Sequence, residues 1–341
     1  MIDDALLRCH QVSKRFGTAV ALDGFDLALE KGVILGLLGP SGCGKTTALR
    51  VMAGFERPDG GEVWVDGREV AGQRRWVAPE KRRIGMVFQD WALFPHLDVA
   101  GNVAFGLNGA GEKRVVEVLE MVHLHGLEKR MPHELSGGQQ QRVAVARALA
   151  PSPDVILLDE PFSNLDPSLR GEIRSEIRSL LHDAKATAIF VTHDREEALS
   201  IADEIALMSR GRILQTGAPH EVYRAPTDRV VASLIGEANY FRGEVTKEVA
   251  VTALGNLGAA GIADGPVDVM LRPESIELAR DDRGPATVVD TEFYGHDQLV
   301  RARLDDGTAF DVRLLGPRPD LTIGSRAHPR VTGEGFFFPV R

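Results

Sequence analysis

The sequence predicts an α/β domain built on a mostly parallel sheet, followed by a smaller all-β, OB-like domain. Three observations carry this prediction. In the first two thirds of the chain, short apolar runs alternate with segments of helical periodicity, as expected of strands buried on both faces by crossover helices. A glycine-rich stretch of the form G-x4-G-K-[ST] joins one such run to a helix. Beyond Gly236, helical patterns give way to short alternating segments broken by turn residues.

A first strand-like segment precedes "VILGLLG" (33–39), the first fully buried strand. "KTTALRVMAG" follows with helical spacing and a glycine stop at Gly54. "EVWVDGREV" alternates around Asp66-Gly67 and predicts a hairpin. "RIGMVF" is a further strand, "DVILLDE" (154–160) a second buried one and "TAIFVTH" (187–193) a third. The clearest helix is expected from Pro167 to Ala184, and "IALMSRGRILQTG" reads as two strands joined at Arg210-Gly211. In the tail, "VDVMLRPESIELA", "ATVVDTEFYG" and "QLVRARLDDGTAFDVRLL" alternate, with a turn at Asp306-Gly307. The expected division is 1–236, with a helical subdomain at about 90–150, and 237–341.

With 43% apolar and 26% charged residues, composition excludes collagen-like, low-complexity and disordered classes. The net charge is −9, and from Glu237 onward there are 12 Lys and Arg against 17 Asp and Glu, leaving 28 against 32 before it. Neither part carries a basic footprint, so no nucleic-acid partner is expected. The start, "MIDDALLRCH", has acids where a signal peptide needs a basic region, so the chain is expected to stay in the cytoplasm. Cys9 and Cys43 are too few for a disulfide framework. No apolar run approaches the roughly 18 residues of a membrane span. If the protein works at a membrane, another chain must cross it.

The glycine-rich stretch "GPSGCGKTT" comprises Gly39, Pro40, Ser41, Gly42, Cys43, Gly44, Lys45, Thr46 and Thr47. Glycines let backbone N–H groups turn onto phosphate oxygens, and the helix start adds its positive dipole end. Lys45 is placed to reach the β- and γ-phosphates of a nucleotide and Thr46 to put its hydroxyl on Mg2+. In "VILLDEP", Asp159 ends a buried strand, where a carboxylate holds Mg2+. Glu160 follows and is the candidate general base for an attacking water. His193 and Gln89 each end a strand; alone, each is better explained by a core, turn or cap role than by catalysis.

A second glycine pair in "HELSGGQQQRVAVARALA" opens a helix about ninety residues further on, and one chain with two anion cradles needs an explanation. The ordered set "GPSGCGKTT", "VFQD", "LSGGQQQR", "VILLDEP", "SNLD" and "VTHD" resembles the nucleotide-binding subunit of ATP-binding cassette (ABC) transporters over about 1–236. The fold implied is a RecA-like P-loop NTPase core with a helical subdomain. The resemblance implies roles by position. Leu135, Ser136, Gly137, Gly138 and Gln139 match the signature, Gln89 the Q-loop, Ser163 to Asp166 the D-loop, His193 the switch histidine and Phe16 the aromatic that stacks on adenine. Gln89 joins Thr46 and Asp159 at Mg2+. Two copies are expected to pack head to tail, so that the signature and Asp166 of one face the ATP held by Gly39–Thr47 of the other. The second cradle is then for a neighbour's nucleotide. The D-loop reads "SNLD" where "SALD" is usual in this group; Asn164 is expected to fit the same turn with little consequence.

"DWALFPHLDVAGNVAFGL" is similar to the permease-docking stretch of importer ATPases, so the Gln89 to Asn102 region is expected to meet transmembrane permease subunits; a small satellite core is the competing reading. The tail resembles the transport-associated OB-like (TOBE) domain of polyamine, sulfate, sugar and iron(III) importer ATPases, through "VMLRPESIEL" and "EFYGHDQLVRARLDDG". "HDREEAL", "GRILQTGAPHEVYRAPTD", "LIGEANYF" and "GFFFPV" look most like the iron(III) group. These likenesses imply an ATPase peripheral to the cytoplasmic face of a bacterial inner membrane, working with an extracytoplasmic solute-binding protein. Polyamine, thiamine and sulfate import remain open as alternatives, as does a soluble ABC ATPase outside transport.

Overall fold

The computed structural model describes residues 5–107 and 111–340; the acids Asp3 and Asp4 of the N-terminal reading lie outside them. The chain divides into two compact units, Met1–Val222 and Tyr223–Arg341.

The first unit runs β1 (Leu7–Phe16), β2 (Ala19–Leu29), β3 (Ile34–Leu38), α1 (Lys45–Ala53), β4 (Gly60–Val65), β5 (Arg68–Ala71), β6 (Ile84–Val87), α2 (Val99–Ala104), α3 (Glu112–Met121) and α4 (Gly137–Leu149). It continues with β7 (Val155–Asp159), α5 (Pro167–Asp183), β8 (Ala188–Thr192), α6 (Arg195–Ile201), β9 (Glu204–Ser209) and β10 (Arg212–Gly217). Six strands form one sheet in the order β10-β9-β3-β8-β7-β6, parallel except for the antiparallel edge pair β9–β10. Every residue of β3, β7 and β8 is buried, which is why these segments read as unbroken apolar runs.

A second sheet, β2-β1-β4-β5, is antiparallel throughout, an element the sequence reading reduced to one strand and a hairpin. One apolar cluster joins its Leu7, Val12, Phe25, Leu29 and Val63 to Leu35, Leu37, Leu49, Met52, Val155 and Leu157 of the parallel sheet and α1. Both hairpin turns foreseen here have two successive left-handed residues, Asp66 and Gly67 (φ 48° and 68°) and Arg210 and Gly211 (φ 48° and 78°), as tight antiparallel hairpins require.

The second unit begins within α7 (Pro219–Arg224), earlier than the expected break near Gly236. The reason is Arg272, whose buried guanidinium donates to the carbonyls of Tyr223, Ala232 and Glu237 and so ties α8 (Arg229–Ile235) and its approach to the β-rich part. Ten strands follow: β11 (Asn239–Thr246), β12 (Val249–Thr252), β13 (Gly255–Gly258), β14 (Gly265–Leu271), β15 (Ile276–Arg280), β16 (Ala286–Phe293), β17 (Asp297–Leu304), β18 (Ala309–Leu315), β19 (Arg326–Val331) and β20 (Phe336–Pro339). They make two five-stranded antiparallel sheets, β13-β12-β11-β14-β20 and β15-β19-β16-β17-β18, around a core that includes Phe241, Val269, Leu278, Val300 and Phe310. Asn239 stitches one sheet to the other, giving Nδ2–H to the Asp311 carbonyl (2.7 Å) and accepting the Asp311 amide (2.8 Å).

Candidate nucleotide site

The loop between β3 and α1 is glycine-rich because neighbouring backbone crowds it. A Cβ on Gly39 would stand 2.2 Å from the Met208 carbonyl oxygen of β9, and one on Gly44 2.2 Å from that of Ala21 in β2. Gly42 and Gly44 are also left-handed, at φ 76° and 110°. The Gly211 amide donates to the Cys43 carbonyl at 2.9 Å, tying the loop to the β9–β10 turn. Cys43 is buried, and burial pushes its thiol up.

Helix α1 starts at Lys45 with no side-chain cap, whereas α2, α4, α5, α6 and α8 are capped by Asp98, Ser136, Asp166, Asp194 and Asp228. Uncapped first-turn amides at a glycine-rich bend form a ready anion cradle, and phosphate suits them. Lys45 is 5% exposed and donates to the carbonyls of Gly39 (2.7 Å) and Pro40 (3.1 Å). Phe16, at the end of β1 on the hairpin whose β2 abuts the loop, is 48% exposed, with the Lys14 ammonium 5.1 Å from its ring centre.

Across the sheet the Thr46 hydroxyl donates to Asp159 Oδ1 at 3.3 Å. Burial pushes the Asp159 carboxyl above its ordinary range, offset in part by the Thr46 hydrogen bond. A hydroxyl and a carboxylate are hard oxygen donors of the kind Mg2+ takes, together with water and phosphate oxygens. Glu160 sits in left-handed backbone (φ 44°), a conformation that stores strain in a non-glycine residue. Its Oε1 lies 3.5 Å from His193 Nδ1.

The loop holding His193 is buttressed from α5 and α6. Thr192 Oγ1 accepts the Asp194 amide (2.9 Å), Arg174 donates to Asp194 Oδ2 (3.0 Å), and the buried Glu197 takes the Thr192 hydroxyl. Gln89 is exposed, two residues past β6, and its main-chain carbonyl accepts the Asn164 amide at 2.9 Å.

The structure thus brings Lys45, Thr46, Asp159, Glu160 and His193 together. Leu135 to Gln139 belong to a different neighbourhood. Ser136 is exposed and caps α4: its hydroxyl accepts the Gln139 amide (3.3 Å), and Gln139 Oε1 accepts the Ser136 amide (2.9 Å). Gly137 lies against Trp91 and Leu165, and Gly138 against Ile173. Among the described residues no hydrogen bond or ion pair joins Leu135–Gln139 to Gly39–Thr47. Asp166 caps α5, accepting from the amide and hydroxyl of Ser168, whose amide contact chiefly holds its carboxyl below the usual range.

Three contributors escaped the sequence reading. Arg147 of α4 donates to the carbonyls of Trp91 (2.8 Å) and Ala92 (2.7 Å), both in left-handed backbone, and its guanidinium lies 5.3 Å from the Phe94 ring centre. Asn102, fully buried, bonds the Phe94 amide and the carbonyls of Phe94, Leu97 and Asp98, shaping the "FPHLD" loop. Asn164 reaches Gln89, where only a turn-fitting residue had been expected. Each works through main-chain partners, which leave no pattern in the sequence; the one available signal was the Asn in "SNLD" itself.

Residues 22–163 match the ABC transporter family and residues 269–333 the TOBE domain. The Fe(3+) ions import ATP-binding protein FbpC 2 of Rhodococcus jostii is 46% identical, over 98% of this chain and 99% of its own. FbpC of Serratia marcescens is 40% identical over 97% and 99%, and the spermidine/putrescine import ATP-binding protein PotA of Mesorhizobium japonicum 44% over 90% and 89%. Among solved structures, cbiO1 of Clostridium perfringens, part of the ABC transporter complex cbiONQ, superposes with a TM-score of 0.59 at 30% identity, covering 64% of this chain and 91% of that one. A dimeric ATP-binding cassette in a post-hydrolysis state, bound to ADP and Pi, gives 0.54 at 33% identity over 62% and 98%. The chain belongs to the ABC transporter family, as an import-type ATP-binding subunit with a C-terminal TOBE domain.

Proposed function

We propose that this chain hydrolyses ATP at sites shared between two copies of itself, driving uptake of iron(III) through a membrane permease. The observation that carries the reading is the separation within one protomer of two halves of a phosphate site. The uncapped α1 start and the Thr46–Asp159 pair hold one side, while Ser136 presents an exposed helix start elsewhere. A helix N-terminus favours added negative charge, so a second copy facing the first closes each site on the γ-phosphate.

Thr46, Asp159 and Gln89 would hold Mg2+, which would supply charge neutralisation to the phosphates. The chain's residues do the rest. Lys45 exchanges its loop carbonyls for phosphate oxygens, and Phe16 offers a free ring face to the base. Glu160 takes the proton of the attacking water, and His193, at its carboxylate, holds it in line. Asp166 of the facing copy closes the far side. Loss of phosphate removes the negative charge that bridged the copies, and the pair opens.

The Gln89–Asn102 region is the proposed permease footprint. Its Phe94 packs on Phe105 (ring centres 4.1 Å apart) while Pro95 and His96 stay exposed, so it serves at once as small core and docking face. The cytoplasmic membrane face and an extracytoplasmic solute receptor belong to the same reading. Iron(III) rests on the relatives' names and on the stretches "HDREEAL", "GRILQTGAPHEVYRAPTD", "LIGEANYF" and "GFFFPV". Polyamine import is the second reading, favoured by the 44% identity to PotA. In a strain lacking this chain, iron(III) uptake is expected to fall while spermidine uptake holds. The wild-type chain restores it and Ser136→Arg does not, although that variant still binds nucleotide. Loss of spermidine uptake alone would move the solute to polyamines; restoration by Ser136→Arg would remove the shared site.

A further inference from the structure

Segment 163–166 is tied on three sides. The Ser163 hydroxyl donates to the Glu160 carbonyl (2.9 Å), so the segment is pinned to the main chain of the proposed base. From α5, Arg170 donates to the carbonyls of Leu165 (3.3 Å) and Ser163 (3.4 Å). Between these anchors Asn164 sends its side-chain amide to the Gln89 carbonyl at 2.9 Å. Gln89 has left the ladder that holds β6 to β7 at Val87–Leu158, and the chain is next gripped at Trp91 and Ala92 by Arg147. The Gln89–Asp90 peptide is the middle of a turn closed by the Trp91 amide on the Phe88 carbonyl (2.9 Å), and Asn164 is the side chain that holds this turn from segment 163–166.

We propose that Asn164 is a positioning residue for Gln89. Its donated N–H sets the plane of the Gln89–Asp90 peptide, fixing where the Gln89 side chain stands relative to Asp159 and Glu160 and making that placement follow any movement of segment 163–166. The inference rests on the nucleotide-site reading above, in which segment 163–166 lies at the join between copies. An alanine at 164 fills the same turn but cannot donate, so the two loops then move independently. Only the amide nitrogen serves here, because the partner is a carbonyl. Asn164→Asp keeps the shape and loses the donor, and places an anion against that oxygen.

The test uses the full-length chain, wild type and with Asn164→Ala, Asn164→Asp and Asn164→Gln. In the nucleotide-free protein, hydrogen exchange at the Trp91 amide, whose bond to the Phe88 carbonyl closes the turn that contains the Gln89–Asp90 peptide, is expected to rise in the Ala and Asp variants. In ATP hydrolysis their kcat is expected to fall about threefold to tenfold, the worth of one neutral hydrogen bond. The Mg2+ concentration for half-maximal rate rises while the affinity for nucleotide stays at the wild-type value. Asp is at least as impaired as Ala, and Gln, which keeps an amide donor, recovers part of both effects. Unchanged exchange and unchanged Mg2+ dependence in Asn164→Ala would overturn the proposal, as would wild-type behaviour of Asn164→Asp. Glu160→Gln, run alongside, separates the two levels: if it hydrolyses ATP normally the reading of the site fails, while exchange at Trp91 still decides the tether.

Discussion

Glu197 shows how one buried side chain shapes a site it does not enter. It is 4% exposed, takes the Thr192 hydroxyl and lies 3.5 Å from Arg174, so that the loop carrying His193 is held from behind. Burial raises its carboxyl above the ordinary glutamate value, against the weaker pull of the Thr192 hydrogen bond and Arg174. The folded state therefore keeps the proton more readily than the unfolded chain. Its contribution to stability is fully present below the ordinary glutamate value of 4.5 and is lost as pH rises through the raised folded value. Glu197→Gln keeps an acceptor for Thr192 and cannot ionise. Thermal melts of wild type and variant across that window are expected to diverge steadily with rising pH, the wild type losing ground. A pH-independent offset between them would show that the carboxyl does not titrate there.

At the scale of elements, the two ends of α1 differ. Its start is uncapped, and its last turn is closed by Arg82, a residue 1% exposed and the largest fully buried side chain among those described. Arg82 donates to the carbonyls of Val51, Met52 and Val77, each at 2.8 Å, and stacks on Trp76 at 4.5 Å. Burial lowers its pKa to about 10, so it remains charged at neutral pH. Gly54 ends the helix at φ 92°, where an added Cβ would fall 2.6 Å from Arg82 Nε. Arg82→Met keeps much of the packing but strands those carbonyls, a loss of about 3 kcal/mol. Urea unfolding is the measure, and a change under about 1 kcal/mol would mean water replaces the guanidinium. Elements such as β3, β7 and β8 were legible because burial on both faces forbids polar interruptions. The pairing of β1 with β2 was not: "LRCHQVSKRF" shifts register between Cys9 and Val12 and again before Lys14, with Gln11 at φ 49°, so its alternation is broken. In the candidate site, the nearness of Thr46 to Asp159 and Glu160 was legible because a glycine loop opening a helix and acids ending a buried strand meet at the same end of a parallel sheet. Arg82, Arg147 and Asn164 were not, since any chain segment can offer them a carbonyl.

At the scale of the molecule, α4 links two tasks. Its N-terminus carries Ser136, proposed to meet the facing copy's ATP, and one side of it holds Trp91 and Ala92 through Arg147 in the proposed permease footprint. Gly137, packed against Trp91 and Leu165, brings that entry and the 163–166 segment to the same helix start. A nucleotide that draws Ser136 toward a second copy would then act on the proposed permease footprint through contacts already made in one protomer. The central claim is that each ATP is shared, and the most direct measurement is the molecular mass of Glu160→Gln by light scattering with ATP and Mg2+. The account predicts a dimer that requires ATP and that Ser136→Arg, added to the same chain, returns to monomer. A chain that stays monomeric with ATP, or a dimer indifferent to Ser136→Arg, would contradict it.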